Sequence, residues 1–457
     1  MTKDSSVITR FPPSPTGYLH IGGARTALFN YLFAKQHGGQ FLVRLEDTDT
    51  ERSKKEYEKD MLEGLAWLGL KSDNRDIWRQ SERSIVYQKY LTRLVEQGSA
   101  YEAEKSDNET GNVIRFKNPK STVVFDDLIR GDVSFDIEEL GDFVIAKNTR
   151  NPLYHLAVVV DDHEMGVSHV IRGEDHLSNT ARQIVLLEAL GLKRPTYAHI
   201  PLILASDRSK LSKRHSAVSV NEYREMGYLP EALVNYLALL GWHPPGRSGR
   251  TGPQDEREIF SMEELMKEFD LSRVQKGGAV FDEEKLRSIN KIYLERLSSA
   301  DFLNRLKSYM PDAIRTLPQY SDERLERAAP VIREHIQVFT DIARMAEAGE
   351  LEYFFMKPAY EERKTPWKGE TPNEAAKHLE YALASIEKIP ENRFSESTVK
   401  DALWDYATEE GKGSVLWPLR YALSGREKSP DPFVLAGILG KEETLSRVQE
   451  ALKKLRA

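Results

Sequence analysis

The chain has 457 residues, too many for one ordinary hydrophobic core, so length alone predicts about two to four domains. With 30% charged and 40% hydrophobic residues it has a soluble, globular composition; no apolar stretch approaches the roughly 18 residues of a membrane span, and residues 1–10 lack an apolar signal core, so the expectation is no membrane, no secretion and a cytoplasmic location. Zero cysteines exclude disulfides, thiolate metal sites and cysteine nucleophiles, and a formal net charge of −7 excludes a uniformly basic coat while leaving room for a basic groove on one face.

The opening reads as strand, loop, helix, strand: residues 7–11, a Pro/Gly loop, residues 24–36, then residues 41–45. Ala24, Leu28, Tyr31 and Leu32 recur at helical spacing, and Gly38-Gly39 ends the helix. This is a βαβ unit. It predicts a parallel sheet with its ligand at the carboxyl ends of the strands, where the loop and Glu46-Asp47 both fall.

That loop, Pro13-Ser14-Pro15-Thr16-Gly17-Tyr18-Leu19-His20-Ile21-Gly22-Gly23, has the make-up of an ATP site. Two prolines restrict it, Gly17 permits a turn, and Gly22-Gly23 let backbone approach an anion where a helix begins and its free N–H groups favour phosphate. His20 can donate to the same phosphate.

From about residue 81 to 150 short alternating stretches such as Val113-Ile114-Arg115-Phe116 predict an α+β insertion. The apolar run at 156–160 is expected as a strand covered on both faces, with Asp161 and Asp162 as turn acceptors after it. Residues 179–190 read as a helix ended by Gly191, and residues 198–204 as a strand leading directly to Lys210-Leu211-Ser212-Lys213-Arg214. Beyond about 220 helical periodicity dominates, at 230–240, 262–269 and 301–309, and from about 320 nearly everything reads as helix; the mixed run Glu361-Glu362-Arg363-Lys364 reads as a solvated linker.

Together the 13–23 loop and the 210–214 lysine segment resemble the two signatures of class I aminoacyl-tRNA synthetases, and Pro-Ser-Pro-Thr-Gly points to the glutamyl-tRNA synthetase family. Matches continue through Arg44-Leu45-Glu46-Asp47-Thr48-Asp49, the segment from Tyr154 to Asp162, Val170-Ile171-Arg172-Gly173-Glu174-Asp175-His176, and Gly277-Gly278-Ala279-Val280-Phe281-Asp282. The resemblance implies an α/β fold: a Rossmann-type parallel-sheet catalytic domain with an α+β insertion, followed by all-helical C-terminal domains of the bacterial type. The implied division is a catalytic first half at 1–82, an inserted acceptor-stem domain at 83–157, the catalytic second half at 158–205, a stem-contact domain at 206–298 and a helical anticodon-binding region at 299–457, with an optional break near 362.

It implies glutamate–tRNA ligase chemistry: L-glutamate and ATP give glutamyl-adenylate, and the terminal 2′-hydroxyl of tRNA(Glu) then attacks the acyl carbon. His20, Lys213 and Lys210 are the expected catalytic groups, placing positive charge where the α-phosphate accumulates negative charge. The expected ATP contacts are Pro13, Thr16, Gly17, His20, Gly22, Gly23, Glu174, Leu211, Ser212, Lys213 and Arg214. The expected glutamate pocket is Arg10 and Arg172 for the carboxylates, Glu46 for the ammonium group, Tyr154 and Ser14, with the pairing of arginine to carboxylate left open. Mg²⁺ is expected with ATP, held by phosphates and water. No zinc is expected, because the stretch corresponding to a Cys/His site in many bacterial relatives reads Ala100-Tyr101-Glu102-Ala103-Glu104. A monomer is the family expectation, and tRNA(Gln) stays open as a second acceptor. Three alternatives carry less of the sequence: a glutaminyl-tRNA synthetase usually has Glu-Pro-Asn-Gly in the loop, the glutamyl-queuosine paralogue lacks an anticodon module, and a silent tRNA-binding paralogue would not need His20, Lys213, Arg10 and Arg172.

Overall fold

Strand β1 (Ile8–Phe11) and strand β2 (Gln40–Leu45) lie parallel, from Ile8 opposite Gln40 to Phe11 opposite Val43, with helix α1 (Ile21–Gln36) as the crossover. The expected βαβ unit is therefore present in the computed structural model, which describes residues 6–104, 112–211, 219–245, 257–359 and 361–456. Helix α1 starts three residues before the apolar periodicity does, because the His20 side chain caps it by accepting from the Gly23 N–H. It ends at Gly38, whose φ of 62° suits glycine, and Gly39 then passes so close to Val7 that a Cβ would lie 2.0 Å from the Val7 carbonyl oxygen.

After helix α2 (Lys55–Trp67), the short β3 (Trp78–Arg79) extends the parallel sheet beside β2. Helix α3 (Ser84–Glu96) leads into an insertion of strands β4 (Ala100–Glu104), β5 (Asn112–Phe116), β6 (Thr122–Asp127), β7 (Gly131–Asp136), β8 (Phe143–Asn148) and β9 (Asn151–Pro152). Four of these form an antiparallel sheet in the order β4-β5-β8-β9, whereas β6 and β7 make a hairpin.

Residues 156–160, expected as a strand, lie in helix α4 (Tyr154–Glu164), and Asp161 and Asp162 belong to the same helix rather than to a turn. A short apolar run fits a strand covered on both faces or a helix buried all round, and length decides between them. Here residues 156–160 are buried without a break because α4 packs against α3, β8 and helix α5 (Leu177–Ala189). Strand β10 (His169–Gly173) precedes α5, and β11 (Thr196–Ile200) pairs with β10 in parallel and with the end of β6 at Asp127 opposite Tyr197. β10 lies beside β1: the Ser168 N–H donates to the Ile8 carbonyl at 2.9 Å, and the Ile8 N–H donates to Ser168 Oγ at 2.8 Å.

The strand expected at 198–204 is two strands, β11 and β12 (Ile203–Leu204), separated at Pro201, which has no N–H to give a ladder. Helices α6 (Val220–Glu225), α7 (Pro230–Leu239) and α8 (Met262–Glu268) follow, the last two where periodicity put them, and β13 (Ala279–Val280) pairs with β12.

By contact the chain divides into Met1–Asn290 and Lys291–Ala457. In the second unit the regular elements from Ser299–Tyr309 to Lys441–Leu455 are helical among the described residues. Buried Arg447 helps tie them together, donating to the carbonyls of Tyr353, Leu423 and Met356 while pairing with Glu443 at 2.7 Å.

Candidate active site

The 13–23 loop crosses the carboxyl end of the parallel sheet and is fixed by its backbone. The Pro13 carbonyl accepts from Glu46 N–H at 2.9 Å, the Pro15 carbonyl from Lys54 N–H at 3.0 Å and the Ser14 carbonyl from Thr16 N–H at 2.8 Å, while Leu19 N–H donates to Asp60 Oδ2 at 2.8 Å. At 3.2 Å, Gly23 N–H donates to His20 Nδ1, which leaves a neutral imidazole carrying its proton on Nε2. Gly17 lies in the expected bend, at residues 15–17, but it is not left-handed and a Cβ there would meet nothing within 4 Å, so the local fold does not demand glycine at that position. What glycine leaves there is open space.

Lys213, Ser212 and Arg214 lie outside the described residues. On one side of them, Lys210 pairs with Asp175 at 3.0 Å and remains largely exposed, and Leu211 N–H donates to the Ile203 carbonyl at 3.0 Å. On the other, Ser219 bridges His20 in antiparallel fashion and Val220 N–H donates to the Leu19 carbonyl at 2.8 Å. At Ser219 and Val220 the chain thus lies against the His20 loop. Glu174 turns to the protein: its Oε2 pairs with Arg130 at 2.5 Å and its Oε1 accepts from Leu202 N–H at 2.8 Å.

Behind the loop lies a buried charge network. Arg10 on β1 donates from Nε to both Asp162 oxygens at 3.2 Å; Arg44 on β2 donates to Asp162 Oδ1 at 2.8 Å and to Glu46 Oε1 at 3.0 Å. Asp161 also lies 3.7 Å from Arg44 Nε, but its hydrogen bonds come from other partners, Arg83 Nε and the Tyr87 hydroxyl, each at 2.7 Å, and Gln80 at 3.0 Å. Consecutive helix residues point about 100° apart, which is how two neighbouring aspartates serve two sets of partners. Burial opposes the charge on Asp162, yet Arg10 and Arg44 outweigh it and hold the carboxyl below its ordinary range. For Glu46 burial wins over Arg44, and its carboxyl sits above the ordinary range.

Arg172, on β10, is held differently. Its Nη2 donates to Thr180 Oγ1 at 2.6 Å and its Nε to His199 Nε2 at 3.3 Å, so among the described residues it has neutral acceptors and no carboxylate. Burial lowers its pKa, with Arg10 acting in the same direction and Tyr154 and Asp162 against it. Both arginines keep one terminal nitrogen, Arg10 Nη1 and Arg172 Nη1, buried with no hydrogen-bond partner among the described residues. Tyr154 shares this field: burial raises its phenol, with further influence from Glu46, Arg172 and Arg10, and its hydroxyl lies 3.1 Å from His176 Nδ1. Burial, then Arg172, pulls His176 down to about 4.

Arg10, Glu46, Tyr154 and Arg172 are therefore gathered at one place, with Ser14 in the loop above. Two further histidines near α4 and β10 have other neighbours: His163 stands edge-on to Tyr90, and His169 lies at the start of β10 beside Ser168 and Phe33. Sequence reasoning missed the supporting groups Arg44, Asp162, Thr180, His199 and His176. Arg44 had a signal, since a lone charge in an otherwise apolar strand has to be paired. Among the described residues no group of three His, Asp or Glu could hold a metal ion, and no helix is long and apolar enough to cross a membrane.

The chain matches the family model for the catalytic domain of class I tRNA synthetases (E and Q) at residues 6–110 and 102–288, and an anticodon binding domain model at 301–452. It is 41% identical to a glutamate–tRNA ligase of Aquifex aeolicus over 99% of this chain and 100% of that one, and 39% identical to glutamate–tRNA ligase 1 of Caldanaerobacter subterraneus subsp. tengcongensis over 98% of each. Among solved structures, a glutamate tRNA ligase from Elizabethkingia meningosepticum in complex with its amino acid superposes with a TM-score of 0.85 at 33% identity, covering 99% of this chain and 100% of that one. The glutamate-tRNA synthetase from Elizabethkingia anophelis gives 0.84 at 33% identity, over 98% and 100%. With both domain models matched in order and full-length relatives at this identity, the chain belongs to the glutamate–tRNA ligases of class I, the glutamyl-tRNA synthetases.

Proposed function

We propose that Arg10 and Arg172 hold the two carboxylates of L-glutamate in this ligase, and that Glu46 accepts from its ammonium group, with Tyr154 and Ser14 completing the pocket. The observation that carries the reading is the pair of buried guanidinium nitrogens, Arg10 Nη1 and Arg172 Nη1, with no hydrogen-bond partner among the described residues. A buried, unpaired donor on a cation is costly, and a dicarboxylate supplies two anions at once. The substrate ammonium group would in turn favour ionised Glu46, whose carboxyl burial otherwise pushes up.

ATP lies along the 13–23 loop in this account, with Pro13, Thr16, Gly17, Gly22, Gly23 and Glu174 lining it. A carboxylate oxygen of glutamate attacks the α-phosphorus and pyrophosphate leaves; His20 Nε2–H and Lys213, with Lys210, Leu211, Ser212 and Arg214 around it, meet the charge that develops. The terminal 2′-hydroxyl of tRNA(Glu) then displaces AMP from the acyl carbon. Mg²⁺ travels with ATP on phosphate and water oxygens, and a chain without cysteine is read as holding no zinc in the insertion.

Residues 83–157 contact the acceptor stem, 206–298 the stem below it and 299–457 the anticodon; the ligase acts in the cytoplasm as a monomer. tRNA(Gln) is the second candidate acceptor, and charging each purified tRNA in parallel separates the two cases. Glutamine discrimination tests the pocket itself: losing a charge-assisted bond costs roughly 1.5–3 kcal/mol, so Gln in place of the arginine facing the side-chain carboxylate shrinks the preference for glutamate over glutamine. An unchanged preference in both Arg10→Gln and Arg172→Gln contradicts the assignment.

A further inference from the structure

We infer that Asp127 and His199 form a positioning relay that aims Arg172 at the amino acid, an inference that rests on the glutamate pocket proposed above. Asp127, the last residue of β6, is 1% exposed and accepts four hydrogen bonds: from the backbone N–H of Ile129 at 3.0 Å, Arg130 at 2.9 Å and His199 at 3.2 Å through Oδ1, and from the His199 ring Nδ1 at 2.6 Å through Oδ2. An aspartate surrounded by donors is ionised and accepts only, so the proton between the two side chains sits on His199 Nδ1.

That choice fixes the other ring nitrogen. His199 is fully buried and burial holds its pKa below the ordinary value, so the ring is neutral and Nε2 presents a lone pair. This lone pair faces Arg172 Nε at 3.3 Å, and Thr180 Oγ1, 2.9 Å from the same nitrogen, takes Arg172 Nη2 at 2.6 Å. Two edges of the guanidinium are thereby held by groups without charge. The third nitrogen, Nη1, is buried with no hydrogen-bond partner among the described residues, and none of the described carboxylates pairs directly with the guanidinium, Asp162 acting on it only from a distance. Arg10 shows the alternative, since its charge is shared with Asp162 at 3.2 Å. A carboxylate holding Arg172 would have blunted its pull on the substrate, whereas a neutral histidine with an assigned tautomer orients it at full charge.

Asp127→Asn tests the relay with little change of shape. Its Oδ1 can still accept the three backbone N–H groups, but its amide nitrogen must donate to His199 Nδ1, which moves the ring proton to Nε2 and sets it against Arg172 Nε–H. The expected result is a glutamate KM raised about tenfold or more with the ATP KM unchanged, the loss of one hydrogen bond to a charged group. Asp127→Asn/His199→Gln should recover most of that loss, because the glutamine oxygen can accept from Arg172 without the help of Asp127; a merely structural role for the two residues would give losses that add. In the wild-type enzyme, ¹⁵N spectra of labelled histidine should show His199 protonated on Nδ1 and bare on Nε2, a reading independent of whether any variant folds. A proton on Nε2, a wild-type glutamate KM in Asp127→Asn, or additive losses in the double variant would each overturn the relay. Arg172→Ala keeps the two claims apart: if it leaves the glutamate KM unchanged the pocket itself is wrong, and if it raises that KM while Asp127→Asn does not, the relay alone fails.

Discussion

Arg10 and Asp162 meet across the core of the catalytic unit, guanidinium Nε to both carboxylate oxygens at 3.2 Å, although 152 positions separate them in the chain. The pair joins β1 to α4 and spends only one edge of the arginine, leaving Nη1 with no hydrogen-bond partner among the described residues.

Removing Asp162 should therefore damage stability first. Asp162→Ala leaves Arg10 without its acid and takes the 2.8 Å contact from Arg44, and breaking a buried pair in this way costs about 3–5 kcal/mol, measurable by denaturant unfolding. The pH dependence has a definite sign. Because the folded-state pKa of Asp162 is depressed, its contribution is fully present above the ordinary aspartate pKa of about 3.9 and is lost as pH falls through the depressed value, so the variant should show a smaller fall in stability over that acid window than the wild type.

The turn between α1 and β2 offers a second stability test. At Gly38 the backbone is left-handed with open space around a would-be Cβ, so Gly38→Ala should cost roughly 1–2 kcal/mol. Gly39→Ala must push a Cβ against the Val7 carbonyl oxygen from a starting distance of 2.0 Å, moving the edge of β1. Unfolding free energies should rank Gly39→Ala as the more damaging; equal losses would contradict the packing described here.

Lys213→Ala should lower the turnover of adenylate formation by roughly a hundredfold or more, because the ammonium group is assigned to charge that develops in the transition state, with little effect on tRNA affinity. Pyrophosphate exchange in the presence of tRNA reads the first quantity and filter binding the second.

The insertion should hold no zinc. The chain has no cysteine, so elemental analysis of the purified protein should find negligible stoichiometric zinc, and activity should survive a chelator once Mg²⁺ is restored. One tightly held zinc per chain contradicts this.

The βαβ opening was legible because local signals agreed there: apolar alternation, helical spacing from Ala24, and Gly38-Gly39 as a stop. Arg10, Glu46, Tyr154 and Arg172 were nominated through motif wording, and they stand near the carboxyl ends of β1, β2 and β10 and at the start of α4. Helix α4 was not legible, because a run of five apolar residues carries no period of its own and its identity was decided by α3, α5 and β8 packed around it. Nor could Asp162 be paired with Arg10 and Arg44, or Asp127 with His199, from spacing alone: such contacts join distant segments, and only topology brings them together. Had residues 156–160 been read as helical, the adjacent aspartates would have pointed to buried partners.

The central claim is that Arg10 and Arg172 face the carboxylates of bound glutamate. Aminoacylation kcat/KM for glutamate, measured with the KM for ATP in wild type, Arg10→Ala and Arg172→Ala, tests it most directly. The account predicts a loss of about tenfold or more in glutamate use for each variant with ATP use nearly intact, since neither arginine belongs to the phosphate loops; if neither substitution changes glutamate use by about tenfold, the pocket is wrong.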